Sequence, residues 1–336
     1  MKISYREWRV LESIPRALSI RRLARMAGVS VSTAHRIVRK MGYLKVRFLV
    51  RYEKTGLLPL LVLLPDRPIL KLPPYSRALR TVRADRTYRV VTALVPLYHL
   101  DRYLSELPYK PLVVVKGYEV EGWRPDAGLT KYDAGVLRPS TENLDLYKLS
   151  KPVYPWHRIG APDPIDLAIL TFKLGDAFIT LKKIAEKASE VDSSFREVSP
   201  QLISYHYRKH VLSMWKYNAP RLYWDVRERP LWIFYLEGAK SHIAARAIVN
   251  FPGMKTTYID EGKAVVVGQP GTETFYHIYS ILTELDVRMP MGPFFVIEDE
   301  RYMVEKTSYL WLYLKGGRWS WPSEVSVRRM IARQGM

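Results

Sequence analysis

From Ser19 the chain reads SIRRLARMAGVSVSTAHRIVRKMG, and its apolar positions recur at helical spacing. Ile20, Leu23, Ala24 and Ala27 fall at i, i+3, i+4 and i+7, which predicts a helix capped by Ser19 with Arg21, Arg22 and Arg25 outside. Gly28 permits a tight turn, Ser30 caps a second helix built on Ala34, Ile37, Val38 and Met41, and Gly42 marks its stop. A third amphipathic helix precedes them, from Tyr5 to Ile14, ending at Pro15. Two short helices joined by a glycine turn and backed by a third form the pattern of a helix-turn-helix. Tyr43 to Tyr52 (YLKVRFLVRY) then alternates in strand fashion, with Lys45, Arg47 and Arg51 on one side. Glu53 to Gly56 reads as a turn before the Leu57 strand, so the expectation is a hairpin placed as the wing of a winged helix.

The segment Pro164 to Val211 repeats the plan in outline, with Ile165, Leu167, Ala168, Leu170 and Phe172 in one helix and Leu181, Ile184, Ala185 and Ala188 in a second. Ser199 opens a third, which carries His206, Arg208, Lys209 and His210. Beyond it the periodicity switches between strand and helix: strand Leu231 to Leu236, helix Ala239 to Val249, strands Lys255 to Ile259 and Ala264 to Gly268, helix Thr272 to Leu285, strand Phe294 to Ile297. That βαββαβ order predicts an antiparallel four-stranded sheet with helices on one face, the ferredoxin-like arrangement. Tyr88 to Val95, Leu97 to Leu107, Leu112 to Val120 and Gly135 to Leu137 read as a rougher earlier copy.

Charge sharpens the reading. The 336 residues carry a formal +20, and the first 56 hold 14 basic against 3 acidic side chains. A gradient this steep implies that one compact end meets a polyanion. On the second helix Ser32, Thr33, His35 and Arg36 are expected to reach base edges in a major groove, with Arg21, Arg22, Arg25, Arg39, Lys40, Lys45, Arg47 and Lys54 on phosphates. His206, Arg208 and Lys209 are candidates for a second DNA contact.

The absence of cysteine excludes disulfides, thiolate nucleophiles and Cys-ligated metals. Met1 to Arg9 lacks the apolar core of a signal peptide, and the longest apolar stretch, Leu57 to Pro65, is too short for a membrane helix. No phosphate-binding loop, GxGxxG, GxSxG or HExxH pattern occurs, so no enzyme activity and no cofactor are expected. His206 and His210, at i and i+4, could face one metal, but no supporting acidic framework is evident and a phosphate-facing surface is the preferred reading. Asp163 with Asp166, and Glu298 with Asp299 and Glu300, have no evident histidine partner and read as solvated loops. Tyr309, Trp311, Tyr313, Trp319 and Trp321 alternate at strand spacing around a turn at Gly316 and Gly317, which predicts a C-terminal hairpin before a basic tail with Arg328, Arg329 and Arg333.

A winged helix-turn-helix followed by a βαββαβ domain resembles the leucine-responsive regulatory protein family (Lrp/AsnC), apparently duplicated within one chain. The stretch IVNFPGMKTTYIDEGKAVVVGQPGTETFYHIYSILTEL is similar to that family's effector and oligomerisation domain, with Pro252 and Gly253 after a helix, a turn at Gly262 and then a long helix. Gly268, Gln269, Pro270 and Gly271 stand where the family has a Gly-Asp-x-Asp run. The resemblance implies transcription regulation, dimerisation through the sheets and a small effector in the sheet interface.

The expected fold is therefore α+β, with winged helix-turn-helix units combined with ferredoxin-like domains. The expected boundaries are 1–65 for the first winged unit, 80–150 for the first sheet domain, 162–225 for the second helical unit, 228–300 for the ferredoxin-like domain and 301–336 for the hairpin and tail. The expected function is sequence-specific binding of double-stranded DNA by a cytoplasmic, nucleoid-associated regulator, with no membrane partner. The alternatives are a replication or mobile-element initiator, a chromosome-organising protein and, from another class, an enzyme acting on nucleic acid.

Overall fold

The computed structural model describes residues 2–40, 43–157, 161–297 and 309–322. The expectations for Met41, Gly42, the Lys40 side chain, Glu298 to Glu300 and the tail arginines lie outside these residues. Three helices open the chain, α1 (Tyr5–Ser13), α2 (Ile20–Ala27) and α3 (Val31–Lys40). Each begins on a serine: Ser4 Oγ accepts from Glu7 N at 3.2 Å, Ser19 Oγ from Arg22 N at 3.2 Å and Ser30 Oγ from Thr33 N at 3.1 Å. Gly28 ends α2 with φ at +67°, where a side chain would be strained. Leu11, Ile14, Leu23, Ala24, Ala34 and Ile37 bury the shared faces.

The strand that follows, β1 (Leu44–Val50), does not turn back as a wing. It pairs antiparallel with β9 (Trp215–Leu222), from Leu44 opposite Leu222 to Val50 opposite Trp215. β2 (Leu57–Pro65) instead enters the main sheet between two other strands. The reason lies in its composition: LLPLLVLLP is buried on both faces for eight of nine residues, and only an interior strand offers that environment.

The remaining elements are, in chain order, β3 (Ser76–Arg83), β4 (Thr87–Pro96), α4 (Leu100–Ser105), β5 (Val113–Lys116), β6 (Glu119–Gly122), β7 (Thr130–Asp133), β8 (Val136–Pro139) and α5 (Leu146–Leu149). The second helical unit holds α6 (Pro164–Gly175), α7 (Leu181–Val191), α8 (Pro200–His206), a wide π-type turn at Tyr207–Val211 and α9 (Leu212–Met214). After β9 come β10 (Trp232–Glu237), α10 (Ser241–Ile248), β11 (Met254–Asp260), β12 (Lys263–Gly268), α11 (Thr272–Glu284), β13 (Pro293–Ile297) and the two-residue strands β14 (Leu314–Lys315) and β15 (Arg318–Trp319). The fold is mixed α+β around a large antiparallel sheet.

That sheet has nine strands in the order β5-β2-β4-β3-β13-β10-β12-β11-β6. Its first four strands run fourth, first, third, second within their half, and the next four repeat this order. β3 joins β13, with Val82 opposite Val296. At the far end β6 pairs with β11, yet only Gly117 and Tyr118 separate it from β5 at the other edge. One nearly continuous strand thus serves both edges, and the sheet closes on itself. Leu61, Leu63, Val82, Val90, Val115, Ile233, Tyr235, Val265, Phe294 and Val296 form one apolar cluster drawn from both halves, the packed interior that closure requires. A second cluster lies under α10 and α11.

The earlier half differs from the expected copy at two places. Its sheet starts at Leu57 rather than near residue 80, and its fourth strand is β5, whereas 136–139 pairs with 130–133 in a separate hairpin. No helix joins β2 to β3. The C-terminal aromatics cover part of this face instead: Tyr75 lies 4.8 Å from Tyr313 and 5.8 Å from Trp321, and its hydroxyl donates to Ser320 O. The turn at Gly316 and Gly317 is present, but 310–313 is a helical turn, and Trp311 and Trp319 are buried, which leaves neither ring open to stack on bases.

The β1–β9 ribbon sits close on the sheet. A Cβ on Gly122 would lie 2.7 Å from that of Ala219, so glycine is what permits the approach. Beside it the Tyr217 hydroxyl donates to Glu121 Oε2 at 2.6 Å and accepts from Gly122 N at 2.8 Å. On the same strand as Glu121, Glu119 takes a two-pronged contact from Arg246 of α10, which also donates to Leu149 O and Lys151 O. Burial disfavours the Glu119 carboxylate, but the Arg246 guanidinium outweighs it and holds its pKa below the usual value. Removing one member leaves the other charge poorly solvated. Arg246→Met is expected to lower unfolding free energy by about 3–5 kcal/mol, read from the urea midpoint; a loss under about 1 kcal/mol, the range of a surface pair, would contradict this.

Candidate nucleic-acid interface

The outward face of α3 carries the residues expected to read bases. Ser32, His35 and Arg36 are exposed and Thr33 is half-buried. The Ser30 hydroxyl joins the first turn together, 2.9 Å from Ser32 Oγ and 2.9 Å from Thr33 Oγ1. Arg21, Arg22 and Arg25 are exposed on α2. Among the described residues the side chains of Arg21, Arg22, Arg25 and Arg36 have no hydrogen-bond or ion-pair partner. Four guanidinium groups on two consecutive helices thus stand in solvent with their donors unspent.

The other expected phosphate contacts are engaged by the second unit. Arg39 forms an ion pair with Asp176, Arg47 Nη1 donates to Leu174 O at 2.8 Å, and Lys54 Nζ donates to Ser213 O at 2.8 Å. Lys45 is exposed but lies over the Tyr223 ring, 5.6 Å from its centroid. Arg47 and Lys54 were expected on a wing; with β1 paired to β9, both instead fasten the first unit to the second. Ala177 N donates to Val46 O at 3.0 Å, and the buried Asn218 amide donates to Ala17 O at 2.5 Å, so each unit grips the strand that follows the other.

His206 is also placed differently from expectation. It is buried and points at Asp166, with Nδ1 2.8 Å from Oδ1, while Arg208 and Lys209 are exposed. His210 Nδ1 lies 3.1 Å from Asp166 Oδ2. The expectation that Asp166 lacks a histidine partner is therefore corrected: it has two, 40 and 44 residues downstream. Separation along the chain hid them, although the i, i+4 histidine spacing was visible.

A cleft of about 340 Å³ opens at the foot of the ribbon, lined by Tyr52, Tyr118, Glu119, Tyr154, Trp156 and Lys216 among others. Among the described residues no helix is long and apolar enough to cross a membrane.

No family model matches the chain and no curated protein matches it. Among solved structures it is similar to one described as an anthrone oxidase-like protein, at 6% identity, over 75% of this chain and 94% of that one, with a TM-score of 0.29. Similarity at that level carries no argument about fold or function.

Within the second unit Lys173 is buried, its ammonium donating to Ala177 O and Ile179 O at 2.9 Å each. Burial lowers its pKa from 10.5 to about 8. The unfolded chain therefore binds the extra proton between about pH 8 and 10.5, and stability from this site rises with pH across that window. Between about pH 7 and 9.5 the wild type is expected to gain roughly 2 kcal/mol over Lys173→Met, measured by urea unfolding of both proteins. Parallel pH profiles would contradict it.

Proposed function

We propose that the chain is a sequence-specific double-stranded DNA-binding transcription regulator. In this reading α2 and α3 form a helix-turn-helix, α3 enters the major groove with Ser32, Thr33, His35 and Arg36 near base edges, and Arg21, Arg22 and Arg25 hold phosphates. The observation that carries it is the set of four exposed, unpartnered arginines on α2 and α3, in the segment with the steepest charge excess. A protein-docking face would have less use for guanidinium groups without carboxylates among them, whereas phosphates satisfy their fork of donors. Arg39, Arg47 and Lys54 act as braces between units, and Arg208 and Lys209 offer the second DNA contact.

The repeated strand order supports reading the two half-sheets as ferredoxin-like domains and the whole as an internal duplication of the plan that resembles the Lrp/AsnC regulators. The dimerisation through sheets that this resemblance implies has its counterpart inside the chain, where β3 meets β13 and β6 meets β11. A homodimer, if formed, uses another surface. The cleft beside Tyr118 and Trp156 is the natural seat for a small effector, because it touches both the ribbon and the sheet.

Selection of bound sequences from random duplexes, followed by fluorescence anisotropy on the enriched site, tests the reading. With six to ten phosphates neutralised, affinity is expected to fall about a thousandfold or more between roughly 50 and 200 mM salt. No duplex binding at low ionic strength would overturn the proposal. Arg36→Ala is expected to relax sequence preference, while Arg22→Ala with Arg25→Ala weakens enriched and random duplexes alike and flattens the salt slope by about one to two. Mapping bound sites across the genome separates a regulator, which sits at promoters, from an initiator on tandem origin repeats and from a general chromosome coat.

A further inference from the structure

We propose that Asp166, His206 and His210 bind one divalent transition metal ion of the zinc class, which ties α6 to the helix formed by α8 and the turn after it. Nothing in the DNA-binding reading requires this site, and the two stand or fall separately.

The geometry is that of ligands converging on one point. His206 Nδ1 lies 2.8 Å from Asp166 Oδ1, His210 Nδ1 lies 3.1 Å from Oδ2, and one ligand atom from each residue falls within 4.8 Å of the others. Ligand atoms each about 2 Å from a zinc ion sit roughly 3 Å apart, so the observed spacings suit a shared ion. The imidazole centroids are 5.0 Å apart with their planes at 83°, so both rings present Nδ1 to the same carboxylate from different directions. The π-type turn Tyr207–Val211 begins directly after His206 and contains His210, and such widened turns recur at functional sites because they re-aim side chains on a helix.

The burial of the carboxylate suits a cation at this point. Asp166 is only 5% exposed, and no Lys or Arg is paired with it among the described residues. A divalent ion neutralises this buried carboxylate and uses a ring lone pair from each histidine. Two nitrogens and one oxygen, without sulfur, form a borderline set that suits zinc, cobalt, nickel or ferrous iron rather than a cuprous ion. His210 is 41% exposed, which gives the ion an entry route and leaves a position for water. Asp163, whose Oδ1 lies 3.8 Å from His206 Nδ1, is the next oxygen ligand in reach.

The test uses the full chain, stripped with chelator and desalted, then titrated with Co²⁺ and with Zn²⁺. The expected result is one tight equivalent, a Co²⁺ d–d spectrum bleached by Zn²⁺, and a Tm that climbs with the logarithm of free Zn²⁺. His210→Ala, at the most exposed ligand, is expected to fold with the apo wild-type Tm and to lose the spectrum and the zinc-dependent rise, with affinity down more than about tenfold. Asp166→Asn, which keeps the shape, is expected to do the same; should it fail to fold, His210→Ala and His210→Gln decide. His157→Ala, an exposed histidine elsewhere, is expected to bind zinc and cobalt like the wild type. Absence of a spectrum and of any zinc effect on Tm overturns the proposal, as does binding that survives unchanged in His210→Ala.

Discussion

One strand serving two edges is the constraint on which the molecule rests. Residues 113–122 pair with β2 through their first half and with β11 through their second, so neither half-sheet is complete without the other. A four-stranded sheet in isolation would leave two rows of backbone donors and acceptors unpaired. Joining β3 to β13 and β11 to β6 covers three of the four edges of the two halves and encloses an interior to which both contribute, from Leu61 to Val296. The polar fastenings sit on this same strand: Glu119 meets Arg246 from α10, Glu121 meets Tyr217 from the ribbon, and Gly122 lets Ala219 come near.

The ribbon of β1 and β9 carries the constraint outward to the helical units. Each strand leaves its own three-helix unit and is gripped by the other, through Val46 and Ala177 on one side and Asn218 and Ala17 on the other. The spacing of α3 and α8 therefore rests on the pairing of β1 with β9 rather than on a flexible tether. Arg39 and Arg47 reinforce it, which is why cations that look like surface charges in the sequence are spent internally.

Much of this was legible wherever the determining contacts are local. The serine caps, the Gly28 turn and the helical spacing of Leu23, Ala24 and Ala27 set α2 and α3 within a residue or two, and the alternation from Trp232 to Ile297 set the second half-sheet. What could not be read is non-local. β2 is apolar on both faces, so it has no alternation to declare its partners, and adjacency to β1 suggested a hairpin that the pairing with β9 replaces. Asp166 looked like a loop carboxylate because its two histidines lie four tens of residues away and meet it only when α8 packs on α6. The exposed face of α3 was readable, whereas the burial of Arg47 depended on a unit more than a hundred residues downstream.

Covalent continuity has a consequence that symmetry would forbid. In an assembly of two identical subunits every substitution occurs twice, and a residue useful on one side must be tolerated on the other. Here the two helical units are encoded separately. One carries a bare cationic rim, and in the other the third helix meets a buried acid through His206. Such a molecule holds its paired arrangement at any dilution, and its halves are free to specialise.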